Sequence, residues 1–322
     1  MKRLSSLLRI LLMLSCLLPV SGCEAGAKRY SAEYYDVFDT ASRFTAFCSS
    51  EDDFSAASEA VHRELLRLHG LFDIYNGGEM SIKALNDNGF LDNPDEDISA
   101  VLSLGVEYYE LSGGKLNIAM GSVLRLWHEA RENKLLPDEN ALKEAANHMN
   151  ISKLTISEER ITLSDPEMSI DLGAIAKGYA CEKVAEMLFD MGIENFALDL
   201  GRNIRTSGTK PEGDWVIGIQ NPDGGILDYL ECSDAAVITS GDYERLFELN
   251  GKRYSHIIDS DTLYPAELYR SVTVITDDSA EGDALSTALF CMDIESGREL
   301  LKKKNAKAVW VLVNETVVRY ED

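Results

Sequence analysis

One stretch of the sequence, D-L-G-A-I-A-K-G-Y at residues 171–179, combines a carboxylate, a glycine bend and a lysine. A strand that enters a helix through glycine exposes backbone N–H groups at the helix N-terminus, where an anion is stabilised. Lys177, one turn into that helix, adds a positive charge. The spacing is neither that of the P-loop nor that of G-x-G-x-x-G. The stretch predicts a phosphate site, and the alternative is a capping Asp171 followed by a solvated lysine.

A second stretch, D-A-L-S-T, places the Asp283 carboxylate and the Thr287 hydroxyl four residues apart. Residues at this spacing lie on one face of a helix, so both oxygens can point at the same place. Together with a backbone carbonyl and water, they match the oxygen ligands that Mg²⁺ prefers, usually shared with substrate phosphates. The alternative is an N-capping aspartate with a threonine that bonds back to its own helix.

His256 lies in the polar, turn-flanked segment Y-S-H-I-I-D at residues 254–259, close in sequence to the other candidates. It is therefore a candidate general base. The alternative is a structural histidine at the end of a strand. Two further hydroxyls occur in T-S-G-D-Y at residues 239–243, a strand-to-turn segment that indicates little by itself.

These side chains must be positioned by a mixture of helices and strands. Apolar residues at helical spacing predict a first helix around residues 61–72 and others around 98–109, 141–149 and 180–191, with another beginning near Asp283. The predicted strands are Tyr34–Phe47, Lys153–Ile156, Arg160–Leu163, Ser169–Leu172, Phe196–Leu200, Trp215–Gln220, Ala235–Thr239, Arg253–Ile258, Ser271–Thr276, Ala308–Val313 and Thr316–Tyr320. Hairpin-length turns between strands favour an α+β fold of antiparallel sheets with packed helices over a doubly wound one. Residues 137–166 read as a small insertion.

The composition indicates a globular chain with ample material for a core. Of its 322 residues, 45% are hydrophobic, which excludes a disordered or collagen-like protein. The formal net charge of −24 makes the surface a poor match for nucleic acid. A phosphate ligand would therefore need a local anion-binding feature of the protein, or a bound cation, to offset this negative charge.

The N-terminal segment predicts export. Three basic residues precede an apolar stretch at residues 10–19 that is too short to span a bilayer, and V-S-G-C ends it at Cys23. This resembles a bacterial lipobox, so we expect a lipoprotein signal peptide at 1–22, lipid on Cys23, a linker at 23–33 and one domain at 34–322. The protein would then be anchored on the outer face of the cytoplasmic membrane. The alternatives are an ordinary signal peptide or a buried helix.

The remaining cysteines are widely spaced and do not suggest a zinc site. We expect free, buried thiols, and one or two disulfide bridges remain open for an exported protein. The four residues are Cys48, Cys181, Cys232 and Cys291.

Taken together, these segments and L-D-L-G-R-N-I-R at residues 198–205 resemble the ApbE family of FAD:protein FMN transferases over nearly the whole mature chain. The resemblance implies a two-lobed, T-fold-like single domain. It also implies an exported, Mg²⁺-dependent enzyme that splits FAD and attaches FMN through a phosphodiester to a Thr or Ser hydroxyl of another protein, releasing AMP. The partners would be flavin-acceptor proteins of extracytoplasmic or membrane electron-transfer systems.

The resemblance also implies roles for individual residues. Side-chain metal ligands would be Asp283, which is also catalytic, and Thr287, while Ala174 would give its carbonyl oxygen. The acceptor hydroxyl would be activated by His256. The residues implied to bind the flavin nucleotide are Asp171, Lys177, Ile257 and Ser286.

The chain departs from the family motifs in several loops. The family's M-G-T is F-D-T at residues 38–40, and its F-D after S-x-G is L-N at 116–117. The G-G-D turn is G-R-N at 201–203, and H-I-I-D-P-x-T-G has become H-I-I-D-S-D-T-L at 256–263. Two alternatives therefore stay open: hydrolysis of FAD to FMN and AMP, and a surface lipoprotein that binds flavin without turnover.

Overall fold

The computed structural model describes residues 27–321, which form eight α-helices and fifteen β-strands. The predicted signal peptide and the lipidation of Cys23 lie outside the described residues. The helices are α1 (Glu51–Phe72), α2 (Ile82–Asn88), α3 (Glu96–Leu111), α4 (Gly121–Asn133), α5 (Glu139–Ala146), α6 (Ala176–Asp190), α7 (Ser279–Phe290) and α8 (Ile294–Lys304). The strands are β1 (Lys28–Val37), β2 (Thr40–Cys48), β3 (Phe90–Asp92), β4 (Leu154–Ile156), β5 (Arg160–Leu163), β6 (Phe196–Leu200), β7 (Asn203–Ser207), β8 (Trp215–Gln220), β9 (Ile226–Cys232), β10 (Ala235–Gly241), β11 (Phe247–Leu249), β12 (Lys252–Tyr254), β13 (Tyr269–Thr276), β14 (Lys307–Leu312) and β15 (Val317–Tyr320).

One large antiparallel sheet organises the domain. Its strand order is β1-β2-β6-β7-β10-β13-β14-β15. Helices α6 and α7 pack against each other and against the central strands β7 and β10, within the main core. The hairpin of β8 and β9 covers the other face of the sheet, where Trp215 packs beside Val237 and Phe47. The predicted α+β fold of antiparallel sheets is therefore confirmed.

The strand predicted over Tyr34–Phe47 is wrong, because the structure has a hairpin there. Strand β1 begins at Lys28, inside the predicted linker, and β2 returns after a turn at Phe38 and Asp39. Both turn residues have φ of 51°, which is the left-handed geometry of a tight two-residue hairpin. The two-residue turn and a bulge in β1 between Tyr34 and Val37 each shift the alternation of inward and outward side chains by one residue, so the sequence pattern resumes in phase after the turn.

Several other boundaries differ from prediction. The strand predicted over Arg253–Ile258 ends at Tyr254, and α7 begins at Ser279, where Asp278 caps it by accepting from the Glu281 N–H. Residues 137–166, predicted as a small insertion, connect to the rest of the chain through β5, which pairs with both β3 and β4 in a small sheet. Seven elements were not predicted at all: α2, α4, α8, β3, β7, β9 and β11.

The four cysteines in the described residues are free thiols, as predicted. Burial raises the pKa of each thiol, most strongly for Cys181 in α6. Within residues 27–321, none of the helices has the length and apolar character that a membrane crossing requires.

Candidate functional site

The predicted strand Ser169–Leu172 is extended but is not a strand. Ser169 makes a single parallel bridge to Met120, and the Asp171 N–H donates to the Ile118 carbonyl over 2.9 Å. The ladder cannot continue, because the neighbouring chain enters α4 directly after Met120. The segment therefore runs alongside residues 118–121 and turns at Gly173.

The turn at Gly173 leads into α6 without a side-chain cap from its own segment. The Asp171 carboxylate accepts the Gly173 N–H over 2.8 Å, so it stabilises the turn rather than the helix. The free N–H groups at the start of α6 therefore need partners from elsewhere. Lys177, the second residue of the helix, stands at this end.

Asp283, on α7, supplies one of these partners. Its Oδ2 accepts the Gly178 N–H over 2.8 Å, and its side chain is buried. A Cβ on Gly178 would lie 2.2 Å from the Ser279 carbonyl oxygen, so only glycine permits the two helices to approach this closely. Burial raises the pKa of Asp283, while the charge of Lys177 and the Gly178 N–H oppose that rise.

Further oxygen atoms gather beside Asp283. The Thr287 hydroxyl donates to the Ala174 carbonyl oxygen over 3.5 Å, which brings α7 to the turn before α6. The Ser240 hydroxyl, at the end of β10, lies 3.4 Å from the Thr287 hydroxyl. A carboxylate, a hydroxyl and a carbonyl thus converge from two stretches that are distant in sequence. All three are hard oxygen donors, so this set fits Mg²⁺.

This donor set contains only one acidic side chain. Among residues 27–321, the structure has no group of three or more His, Cys, Asp or Glu residues placed to hold a metal ion. Mg²⁺ commonly binds through one or two carboxylates and completes its shell with water and substrate phosphates. A single carboxylate beside the carbonyl and the hydroxyl therefore suits a cation that is shared with a diphosphate.

Ser286 and Ile257, the other two predicted nucleotide-binding residues, are buried. The Ser286 hydroxyl donates to the Asp283 carbonyl oxygen over 3.0 Å and lies 2.9 Å from the Ser240 hydroxyl. Ile257 packs in the main core and accepts the Ala266 N–H through its carbonyl oxygen. Ser286 thus links its own helix backbone to Ser240 of β10, whereas the Ile257 side chain faces the core.

His256 lies near Lys177 across the site. Its Nδ1 is 3.2 Å from the Glu244 carbonyl oxygen, which can only accept, so Nδ1 carries the proton and Nε2 keeps its lone pair. Burial and the positive charges of Lys177 and Arg245 lower the pKa of His256 to about 3. The imidazole is therefore neutral at physiological pH and can accept a proton through Nε2.

A small cavity of about 10 Å³, room for about one water molecule, opens beside His256, and most of its lining was not expected from the sequence. It is lined by Leu124, Trp127, His128, Arg131, Arg245, Phe247, Tyr254, Ser255 and His256. His128 comes from the unpredicted helix α4, and its Nδ1 lies 2.5 Å from the Tyr75 hydroxyl. Burial lowers the pKa of His128, and the Asp171 charge opposes this shift. His128 therefore lies near the Asp171 carboxylate, which accepts the Gly173 N–H at the turn.

Gly178 and Ser240 are also functional candidates that received no role from the sequence. Gly178 lies in the predicted phosphate-binding stretch 171–179 and Ser240 in the stretch 239–243, yet neither carries a charge that would identify it as a site residue. Their importance comes from closeness to α7, which is a property of the folded chain.

Comparison with known proteins identifies the family. The family model described as the ApbE family matches residues 30–310. The chain belongs to the ApbE family. A Treponema pallidum protein named FAD:protein FMN transferase is 35% identical over 230 residues, which are 65% of this chain and 63% of that protein. A Haemophilus influenzae protein of the same name is 30% identical over 283 residues, covering 82% of this chain and 81% of that protein.

Solved structures of the ApbE family share the fold. The flavin transferase ApbE of Vibrio cholerae superposes with a TM-score of 0.80 at 26% identity, covering 91% of this chain and 97% of that chain. The ApbE protein of Thermotoga maritima gives a TM-score of 0.83 at 30% identity with the same coverage. The predicted single-domain ApbE fold is therefore confirmed, although the alignment with the T. pallidum relative spans less than two thirds of its length.

Three departures from the ApbE motifs keep the backbone shape of glycine. Asp39, Arg202 and Leu263 stand where the motifs have glycine, and their φ angles are 51°, 73° and 62°. These values lie in the left-handed region, which side chains with a Cβ adopt at a cost. The three loops therefore keep the backbone conformation that glycine favours, and the non-glycine residues adopt it with backbone strain.

Proposed function

We propose that this protein transfers FMN from FAD to a Thr or Ser hydroxyl of an acceptor protein, in a Mg²⁺-dependent reaction that releases AMP. The convergence of the Asp283 carboxylate, the Thr287 hydroxyl and the Ala174 carbonyl at the start of α6 carries this proposal. The names of the relatives and the fold shared with flavin transferases support it.

The three oxygens at Ala174, Asp283 and Thr287 would hold the cation. Bound Mg²⁺ would neutralise charge on the diphosphate and act as a Lewis acid. Lys177 and the N-terminal end of α6 add positive charge beside the same phosphates. This local charge offsets the repulsion that a chain of net charge −24 would otherwise exert on a dinucleotide.

In the transfer step, the acceptor hydroxyl oxygen attacks the phosphorus atom on the FMN side of the anhydride. An oxygen–phosphorus bond forms there, the anhydride bond breaks, and AMP leaves with the bridging oxygen. We assign the hydroxyl proton to Nε2 of His256, whose Nδ1 is held by Glu244. A pKa of about 3 makes His256 a weak base in the free protein, and the negative charge of a bound diphosphate raises it.

The same site would also serve the two alternatives, hydrolysis of FAD and flavin binding without turnover. The reaction products distinguish them from transfer. The purified protein is incubated with FAD, Mg²⁺ and a flavin-acceptor protein, and we expect a covalent, fluorescent acceptor band together with AMP. Asp283→Ala should reduce labelling at least about 100-fold, because it removes the only acidic group of the donor set. Asp277→Ala, an exposed carboxylate just before α7, is the matched control and should label normally.

Three outcomes would contradict the proposal. AMP release without acceptor labelling would identify a hydrolase, and FAD binding without AMP would identify a flavin-binding protein. Equally low labelling by the wild type and Asp283→Ala would remove the role of the cation site.

We further propose that the protein is exported, lipidated at Cys23 and held at the outer face of the cytoplasmic membrane, where its acceptors would be electron-transfer proteins. The lipobox-like V-S-G-C sequence supports this location. Radiolabelled palmitate should label the wild type, and Cys23→Ala should abolish the label and release the protein from membranes. Labelling that persists in Cys23→Ala would contradict it.

A further inference from the structure

Helices α6 and α7 exchange carboxylates at their N-terminal ends. Asp283 of α7 accepts the Gly178 N–H of α6, and Glu182 of α6 accepts the Ser279 N–H of α7, both over 2.8 Å. Glu182 lies one turn after Gly178, and Ser279 lies one turn before Asp283. The two bonds therefore pair successive turns of antiparallel helices, and each helix N-terminus meets a negative charge.

Glu182 makes more contacts than this single bond. Its Oε2 also accepts the Ser279 hydroxyl over 2.8 Å, and Arg205 of β7 donates to it over 3.1 Å. Arg205 and Ser279 are both buried. One carboxylate thus joins α6, α7 and the central sheet at a point away from the candidate metal ligands.

The helix contact benefits from such a link, because α6 presents no side chain at Gly178 to set the register there. Gly178 meets the backbone of Ser279 directly, and a Cβ there would lie 2.2 Å from the Ser279 carbonyl oxygen. Interdigitated ridges of large side chains normally fix how one helix slides along another. At this contact the hydrogen bonds of Glu182 and Asp283 instead fix the position of α7 along α6.

The register of α7 decides whether a cation can bind. Asp283 and Thr287 lie on α7, whereas the Ala174 carbonyl belongs to the turn before α6. Mg²⁺ requires near-ideal octahedral geometry, so displacements of about 0.5 Å matter at such a site. Asp283 is itself a proposed ligand and can turn toward a cation, which leaves Glu182 as the restraint independent of the metal.

We propose that Glu182 is a positioning residue for the cation site at Ala174, Asp283 and Thr287, acting by fixing α7 in register with α6. This inference rests on the proposed function, since it assumes that these oxygens hold a divalent cation. Glu182 contacts neither the cation nor the nucleotide in this role. Its loss should therefore weaken cation binding without removing any ligand.

Binding of Mn²⁺ to the purified protein, followed by electron paramagnetic resonance and competition with Mg²⁺, tests the inference. Glu182→Gln keeps the size of the side chain but loses the charge, and we expect the Kd for Mn²⁺ to rise about tenfold. Ser279→Ala removes one of the two bonds to Glu182, keeps the backbone N–H and should give a smaller increase. Thermal unfolding is recorded for each variant.

Tyr34→Phe is the matched control for stability. It removes the partly buried hydrogen bonds that the Tyr34 hydroxyl on β1 makes to the carbonyl and the hydroxyl of Ser58 on α1, over 2.9 and 2.8 Å. Its Tm should fall while the Kd stays unchanged within about twofold. If Glu182→Gln and Ser279→Ala lower Tm but leave the Kd unchanged, the inference is refuted while the proposed function stands. If the wild type binds no Mn²⁺ either alone or with FAD present, the proposed cation site fails and the inference with it.

Discussion

The backbone N–H of Gly178 donates a 2.8 Å hydrogen bond to the carboxylate of Asp283, although the two residues are 105 positions apart. The bond brings together residues 171–179, which were predicted to bind phosphate, and residues 283–287, which were predicted to bind Mg²⁺. It depends on a glycine, because a Cβ at position 178 would also come within 2.4 Å of the Asp283 Cβ.

Gly178→Ala should therefore destabilise the protein. Alanine favours a helix over glycine by about 0.5–1 kcal/mol, but the overlap with α7 costs about 1–3 kcal/mol and should prevail. Urea denaturation should show a lower free energy of unfolding, together with weaker Mn²⁺ binding. Gly70→Ala in α1, where a Cβ meets nothing within 4 Å, is the control and should stabilise the protein. A neutral Gly178→Ala would refute the close-packing account.

Lys177→Met should raise the KM for FAD about tenfold, a change worth about 1.4 kcal/mol, with a smaller effect on kcat. The reason is that Lys177 acts as a point charge on the diphosphate, while the oxygens of Asp283 and Thr287 stay in place. Steady-state kinetics of AMP release check this. The same change should raise the pKa of His256, since the Lys177 charge lowers it. An unchanged KM would place the diphosphate away from Lys177.

His256 should make stability depend on pH in the acidic range. Its pKa is about 3 in the folded protein against 6.5 as the ordinary value, so between these limits the unfolded chain binds the extra proton. The free energy of unfolding should fall as pH is lowered through this window, by up to about 1.4 kcal/mol per pH unit from this group. His256→Gln should flatten that part of the profile in chemical denaturation.

His148 provides a contrast of opposite sign for the same measurement. Its hydrogen bond to Asp165 raises its pKa, so its contribution is present at low pH and is lost as pH rises through the folded value. His148→Gln should therefore alter the profile above pH 6.5. Below about pH 4 it also removes a bond that lowers the pKa of Asp165, so the part of the slope that should stay in place lies between about pH 4 and 6.5. An acidic slope that survives in His256→Gln would assign it to other groups.

Asp39→Gly should stabilise the protein by about 0.5–1 kcal/mol. Asp39 is exposed, has φ of 51° and occupies a turn position where glycine adopts this geometry without strain. Thermal unfolding should show a higher Tm. Asp39→Val is the opposing variant and should lower Tm, because a β-branched residue tolerates positive φ poorly. If both variants behave alike, the turn is not strained at this position.

Sequence patterns were sufficient for most of the large elements. The helical apolar stripe ending at Phe72 lies on α1, and Phe196–Leu200 and Trp215–Gln220 match β6 and β8. These elements bury one face against the core, so their apolar residues recur in the sequence at the spacing of a helix or a strand. Helix α4 was missed although its buried residues Val123, Trp127 and Ala130 recur at helical spacing. The break between β1 and β2 was missed because the turn and the bulge in β1 together keep the alternation in phase.

The residue types at 171–177 and 283–287 determined by themselves which chemistry was available, since a carboxylate, a hydroxyl and a lysine carry their properties in any fold. The tertiary structure alone decided that Asp283 would reach the start of α6 and that Gly178 would permit it. It also decided that Ser240 and Glu182 would lie beside α7 and that a small cavity would open beside His256. Close packing between elements distant in sequence leaves no periodic signal in the chain, so such neighbours become visible only when the fold brings them together.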